Sequence, residues 1–156
     1  MKIICIGRNY RKHIEELNNE RPISPVIFIK PDSSVILKNQ PFFIPDYSKD
    51  VHYEAEVILK ICKLGKSIDK KFAHKYYNKI SLGIDFTARD IQNELKIKGL
   101  PWEKSKAFDG SALIGEWIDK NEFNDINNLN FSLKKNGDNA QFGNTSDMLW
   151  SFDELV

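Results

Sequence analysis

Cysteine, net charge and long apolar runs are what this sequence has least of, and each scarcity removes a class of function. The two cysteines, Cys5 and Cys62, are too few for a disulfide framework or a thiolate metal site. Each stands in a short apolar, strand-like run, so both are expected to be reduced core residues, and a cytoplasmic location is the expectation that follows. Twenty-three basic residues against twenty-two acidic ones leave a net charge of +1. That balance supplies no long-range field, so neither nucleic acid nor a membrane is an expected partner, and any anion site must be local. No stretch approaches membrane-spanning length. The apolar run at residues 3–6 is too short for the core of a signal peptide, and no internal repeat or low-complexity segment is visible.

The 156 residues, 41% of them hydrophobic and 12% aromatic, suffice to bury a real core as one domain or most of one. Residues 51–61 alternate, with Val51, Tyr53, Ala55, Val57, Leu59 and Ile61 on one face and His52, Glu54, Glu56, Ile58 and Lys60 on the other. This is strand periodicity, and it places Glu54 and Glu56 on one side with Cα atoms roughly 6.5 to 7 Å apart. Residues 80–87 alternate likewise and set Asp85 opposite Ile84 and Phe86. An isolated Glu-x-Glu is commonly a pair of solvated acids facing lysines across a sheet. If instead the two are partly buried, their like charges require an answering cation. Glu54, Glu56 and Asp85 would then form a hard oxygen set suited to Mg²⁺ or Mn²⁺.

Residues 2–6 read as a strand, Gly7 as a turn and residues 8–17 as a helix on which His13 and Glu16, three apart, share a face. Spacing alone suits a solvated surface pair there. Residues 18–25 read as a loop, 26–29 as a strand and 30–33 as a turn, after which the apolar segments 35–37 and 42–44 flank residues 38–41. A helix is expected from residue 67 to about 79, with His74 on its surface, and a second over 87–98, stopped by Gly99 and Pro101. Residues 102–110 read as loop, and either Lys104 or Lys106 there could offset the acids. Asn136-Gly137 between residues 129–135 and 138–142 is a type I′ hairpin signal. Ser151 and Glu154 have capping-box spacing for a further helix, which the 156 residues do not continue.

His52-Tyr53-Glu54-Ala55-Glu56 followed by Gly83-Ile84-Asp85-Phe86-Thr87-Ala88-Arg89-Asp90 resembles the fumarylacetoacetate hydrolase family. The likeness extends from Gly7-Arg8-Asn9-Tyr10 through Phe28-Ile29-Lys30-Pro31, Gly99-Leu100-Pro101-Trp102 and Lys104-Ser105-Lys106 to Asn144-Thr145-Ser146-Asp147. It implies an α+β fold, a strand-rich mixed β-sheet roll with short peripheral helices. Residues 1–156 would be a single catalytic domain lacking the family's usual C-terminal part.

By the same resemblance, Glu54, Glu56 and Asp85 are metal ligands, and His13, oriented by Glu16, activates water. Lys106 serves both catalysis and substrate binding, with Arg8 and Gln92 also on the substrate. The implied activity is metal-dependent hydrolysis of a carbon–carbon bond in a small anionic 2,4-dioxo acid of the acylpyruvate type. Oxaloacetate decarboxylation and 2-hydroxy-diene-dioate isomerisation on the same site are alternatives, and so is a truncated, inactive relative. A homodimer is expected if the fold is complete.

Overall fold

The computed structural model describes residues 1–16, 20–38 and 40–156, except for the side chain of His13. The chain is a mixture of strands and short helices, in the order β1 (Lys2–Gly7), α1 (Arg11–Glu16), β2 (Val26–Pro31), β3 (Val51–Ile61), α2 (Lys70–Ala73), β4 (Tyr77–Ala88), α3 (Arg89–Ile97), α4 (Glu103–Lys106), β5 (Ala112–Ile114), β6 (Ile118–Asp119), β7 (Asn130–Lys135), β8 (Asp138–Asn144) and α5 (Phe152–Leu155). The α+β class read from the sequence is what the structure shows. Strands β1 and β2 pair with each other, as do β7 and β8, and β3, β4 and β5 lie in that order with β6 also on β4. Among the described residues no helix is long and apolar enough to cross a membrane.

The chain forms two compact units, the first comprising Met1–Cys5, Ile27–Glu56 and Leu82–Gly115, the second Ile6–Val26, Val57–Ser81 and Glu116–Val156. In the first, β4 and β5 run antiparallel with Gly83 opposite Ile114 and Asp85 opposite Ala112. Aromatic pairs pack its periphery: Phe42 stacks on Phe86 with centroids 3.8 Å apart, and Phe28 meets Trp102 at 5.9 Å. Its interior is unusual in being polar. Ala88 and Ala112 are buried, but so are Lys30, Ser34, Asp85, Thr87, Arg89, Gln92, Ser105, Lys106 and Ser111. Such groups are stable inside only if they satisfy one another, so this interior is a network.

The second unit has the apolar core, with Ile14, Tyr77, Ile80 and Phe152 all buried. Its hairpin turn holds Asn136 and Gly137 at φ 54° and 93°, the doubly positive φ of a type I′ turn. Buried Asn9 ties the chain around residue 150: its amide donates to the Trp150 carbonyl at 3.1 Å and its Oδ1 accepts from the Trp150 amide at 3.0 Å. The expected capping box is formed, the Ser151 amide donating to Glu154 Oε2 at 2.8 Å.

Several expected elements are corrected. The helix predicted over 67–79 ends at Ala73, because Tyr76 and Tyr77 enter a sheet environment; the Cys62 amide donates to the Tyr76 carbonyl at 2.8 Å. Lys30, predicted as a turn residue, belongs to β2. The pyrrolidine of Pro31 holds its predecessor extended, so the strand reaches Lys30. The predicted loop after Trp102 contains one helical turn, α4, in which the Lys106 amide donates to the Trp102 carbonyl at 2.9 Å. The helix predicted over 8–17 begins only at Arg11, and its predicted end, Leu17, is outside the described residues, as are Asn18, Asn19 and Asn39. Cys62 is exposed rather than in the core, and Cys5 is half-buried; both are free thiols.

Candidate metal and oxo-acid site

The strand period predicted over 51–61 is realised in β3, which carries Glu54 and Glu56, both half-buried. On β4 the buried positions include Gly83, Asp85 and Thr87, while Leu82 is exposed and Ile84 and Phe86 are half-buried. The polar side of β4 therefore faces inward. Helix α4 then brings Lys106 to it. The Lys106 ammonium donates to Glu54 Oε2 at 2.6 Å, Asp85 Oδ2 at 2.8 Å and Thr87 Oγ1 at 2.6 Å, so three acceptors take its three N–H bonds. The Phe28 ring centroid lies 5.3 Å from the same nitrogen. Burial alone would lower the Lys106 pKa, but the Asp85 and Glu54 charges and hydrogen bonds outweigh it and hold the group above its ordinary value. Lys106 is a fixed cation.

Two further cations complete the network. The Arg89 guanidinium donates through Nη2 to Glu54 Oε1 and through Nη1 to Gln92 Oε1 at 2.5 Å. The Lys30 ammonium lies 2.9 Å from Asp85 Oδ1 and donates to the Lys106 carbonyl and to the carbonyl and hydroxyl of Ser111, the last two at 3.0 Å. The contact with Asp85 Oδ1 is an ion pair without hydrogen-bond alignment, so among the described residues that buried oxygen accepts no hydrogen bond. Burial pulls the Lys30 pKa below its ordinary value, against the opposing effect of Asp85. Glu56 is pushed up to about 8, first by burial and then by the charges of Glu54 and Asp85, with Lys106 and Lys30 pulling the other way. Cys5 is driven to about 12 by burial and by Asp85, which leaves its thiol inert at neutral pH.

The donor set fits a hard divalent ion. Glu54, Glu56 and Asp85 offer carboxylate oxygens alone, Asp85 Oδ1 is ion-paired with Lys30 but accepts no hydrogen bond, and burial together with the charges of Glu54 and Asp85 raises the Glu56 pKa in the way a dication would reverse. Among the described residues no three acidic, imidazole or thiol groups are gathered tightly enough to close an ion site. The ammonium of Lys106 is instead the cation that Glu54 and Asp85 share.

Of the residues singled out from the sequence, Glu54, Glu56, Asp85, Gln92 and Lys106 all fall in the first unit; Lys106 is buried and in the network, whereas Lys104 is exposed. Arg8 and Glu16 belong to the second unit, Glu16 exposed on α1 and Arg8 with a left-handed φ of 58°, a strained value for a residue with a side chain. The His13 backbone lies on α1, and its side chain is outside the described residues. Lys30, Thr87, Arg89 and Ser111 were not given roles from the sequence. A lysine immediately before a proline, and so held extended beside an apolar strand, was the one available signal for Lys30.

Residues 2–156 match the family model described as fumarylacetoacetate (FAA) hydrolase C-terminal. The chain is 35% identical to the mitochondrial oxaloacetate tautomerase of Bos taurus and 40% identical to the mitochondrial oxaloacetate decarboxylase of Dictyostelium discoideum, covering 99% of itself in both and 70% and 72% of those proteins. It superposes with a TM-score of 0.90 on the fumarylpyruvate hydrolase of Pseudomonas aeruginosa solved in complex with Mn²⁺ and pyruvate, at 30% identity over 99% of this chain and 68% of that one.

Proposed function

Because the chain belongs to the fumarylacetoacetate hydrolase family, we propose that it acts on a small 2-oxo dicarboxylic acid of the oxaloacetate type, interconverting keto and enol forms or releasing carbon dioxide through the same enolate. The observation that carries this reading is the Lys106 ammonium, buried and bonded to Glu54, Asp85 and Thr87. A cation fixed there and kept protonated can hold the negative charge that develops on a substrate oxygen when a neighbouring carbon loses a proton or a carboxylate. Glu54, Glu56 and Asp85 would hold Mg²⁺ or Mn²⁺, and the bound ion would polarise the 2-oxo group as a Lewis acid.

Charge balance favours a dianion. Lys30, Arg89 and Lys106 are ion-paired with Glu54 and Asp85, and once a bound ion has displaced the Glu56 proton the three carboxylates and three cations cancel. A divalent ion therefore leaves a surplus of two positive charges in this cluster, which two carboxylates neutralise and one does not. Gln92, fixed through Arg89, is the proposed hydrogen-bond partner of the substrate. Arg8 is a proposed substrate contact, and His13 with Glu16 the proposed pair that exchanges protons with water; both assignments rest on the sequence motif. Names of relatives support the same class, two being an oxaloacetate tautomerase and an oxaloacetate decarboxylase.

A second reading is hydrolysis of the carbon–carbon bond of an acylpyruvate, favoured by the similarity to a fumarylpyruvate hydrolase. It makes one extra demand, a base that takes a proton from attacking water. The test is to follow oxaloacetate enol absorbance, pyruvate formation and acetylpyruvate cleavage in parallel, with Mg²⁺ or Mn²⁺ and with chelator, in wild type and His13→Ala. Metal-dependent turnover of oxaloacetate is expected, with decarboxylation less affected by the substitution than any acylpyruvate cleavage. Acetylpyruvate cleavage without oxaloacetate turnover would favour the second reading. Metal binding with no turnover of either would mark a binding-only relative.

A further inference from the structure

Lys30 is nearly solvent-free, with 1% of its surface exposed. An isolated buried ammonium carries a large desolvation penalty, which an apolar side chain at the same place would avoid, so packing alone does not account for it. Its contacts do. The nitrogen meets Asp85 Oδ1 at 2.9 Å and donates to the Ser111 carbonyl and hydroxyl at 3.0 Å each and to the carbonyl of Lys106. The Ser111 hydroxyl in turn donates to that same Lys106 carbonyl at 2.9 Å. One cation therefore fixes three things: one oxygen of the Asp85 carboxylate, the backbone at the end of α4, and the chain entering β5.

The consequence for the site is geometric. With Oδ1 engaged by Lys30, the other oxygen of Asp85, Oδ2, is the one turned to the Lys106 ammonium at 2.8 Å. With its carbonyl held, Lys106 starts its side chain from a fixed point and reaches Glu54 and Thr87 as well. We infer that Lys30 is a positioning residue for the divalent-ion site, orienting Asp85 as a ligand and anchoring the backbone of Lys106, although it touches neither ion nor substrate itself. This rests on the proposal that Glu54, Glu56 and Asp85 hold the ion.

Positioning and simple charge make opposite predictions for metal affinity. Removing a cation beside a ligand relieves repulsion of a dication and should tighten binding, whereas releasing an oriented ligand should weaken it by about 10- to 100-fold. The experiment is titration calorimetry of the full chain with Mn²⁺ for wild type, Lys30→Met and Ser111→Ala, alongside near-ultraviolet circular dichroism and thermal melting. Lys30→Met is expected to keep the native spectrum and bind Mn²⁺ at least about tenfold more weakly. Ser111→Ala keeps the charge and removes one acceptor, so about threefold weaker binding is expected. A native-like Lys30→Met protein whose Mn²⁺ dissociation constant stays within twofold of wild type, or tightens, overturns the positioning role, whatever its melting temperature. If Lys30→Met does not fold, unchanged affinity in Ser111→Ala overturns it. Wild type that binds no Mn²⁺ overturns the ion site itself and this inference with it.

Discussion

Binding of a divalent ion to the metal-free chain should release a proton, and Glu56 sets how much. Its carboxyl is pushed up to about 8 by burial and by the charges of Glu54 and Asp85. An ion takes the carboxylate, not the acid, so the proton must leave as the ion enters. With that pKa, Glu56 is about 0.9 protonated at pH 7, about 1.0 at pH 6 and about 0.5 at pH 8. Titration with Mn²⁺ in buffers of different ionisation enthalpy should return those proton counts. The same linkage makes the dissociation constant about 50-fold larger at pH 6 than at pH 8. A proton count near zero at pH 7, or equal affinities at pH 6 and pH 8, would mean that Glu56 is already ionised in the metal-free protein or is not a ligand.

Glu54→Gln combined with Glu56→Gln should abolish Mn²⁺ binding measured by calorimetry, since it removes two of three anionic donors; unchanged affinity would refute the ion site. For metal-free stability the sign follows from a folded pKa of about 8 against an ordinary 4.5. The folded state holds this proton more tightly, so its contribution is complete below about pH 4.5 and is lost as pH rises through 8. The urea midpoint should fall between pH 5 and pH 8, by up to about 3.5 kcal/mol in free energy, and Glu56→Gln should flatten that slope. Lys106→Met should lose oxaloacetate turnover by at least about 100-fold; turnover within tenfold of wild type would refute its role. Gly137→Ala, at a φ of 93°, should cost about 1 kcal/mol in denaturant melts, and an unchanged midpoint would argue against the type I′ turn.

Much of the frame was legible because it is written in local patterns. Period-two alternation located β3 to the residue and placed Glu54 beside Glu56. Asn136-Gly137 announced its turn, and Ser151 with Glu154 its capping box, each through backbone requirements that few residues meet. Motif resemblance reached further, naming the family and selecting Lys106 over Lys104. Local patterns misled where tertiary contacts outweighed propensity. The helix expected to run to about residue 79 stops at Ala73, because the Tyr76 carbonyl accepts from the Cys62 amide and Tyr77 begins β4.

What the sequence determined by itself was the set of acids, their spacing on two strands and the absence of any global charge to explain them. Only the tertiary structure decided which cations answer them. Lys30 lies 55 residues before Asp85 and 81 before Ser111, and no periodicity in a chain with 23 basic residues distinguishes it from the solvated ones. Burial does distinguish it. Once strand, helix and loop exclude water around a carboxylate, each charge there must find its partner within the protein, and the fold alone specifies which lysine or arginine that is.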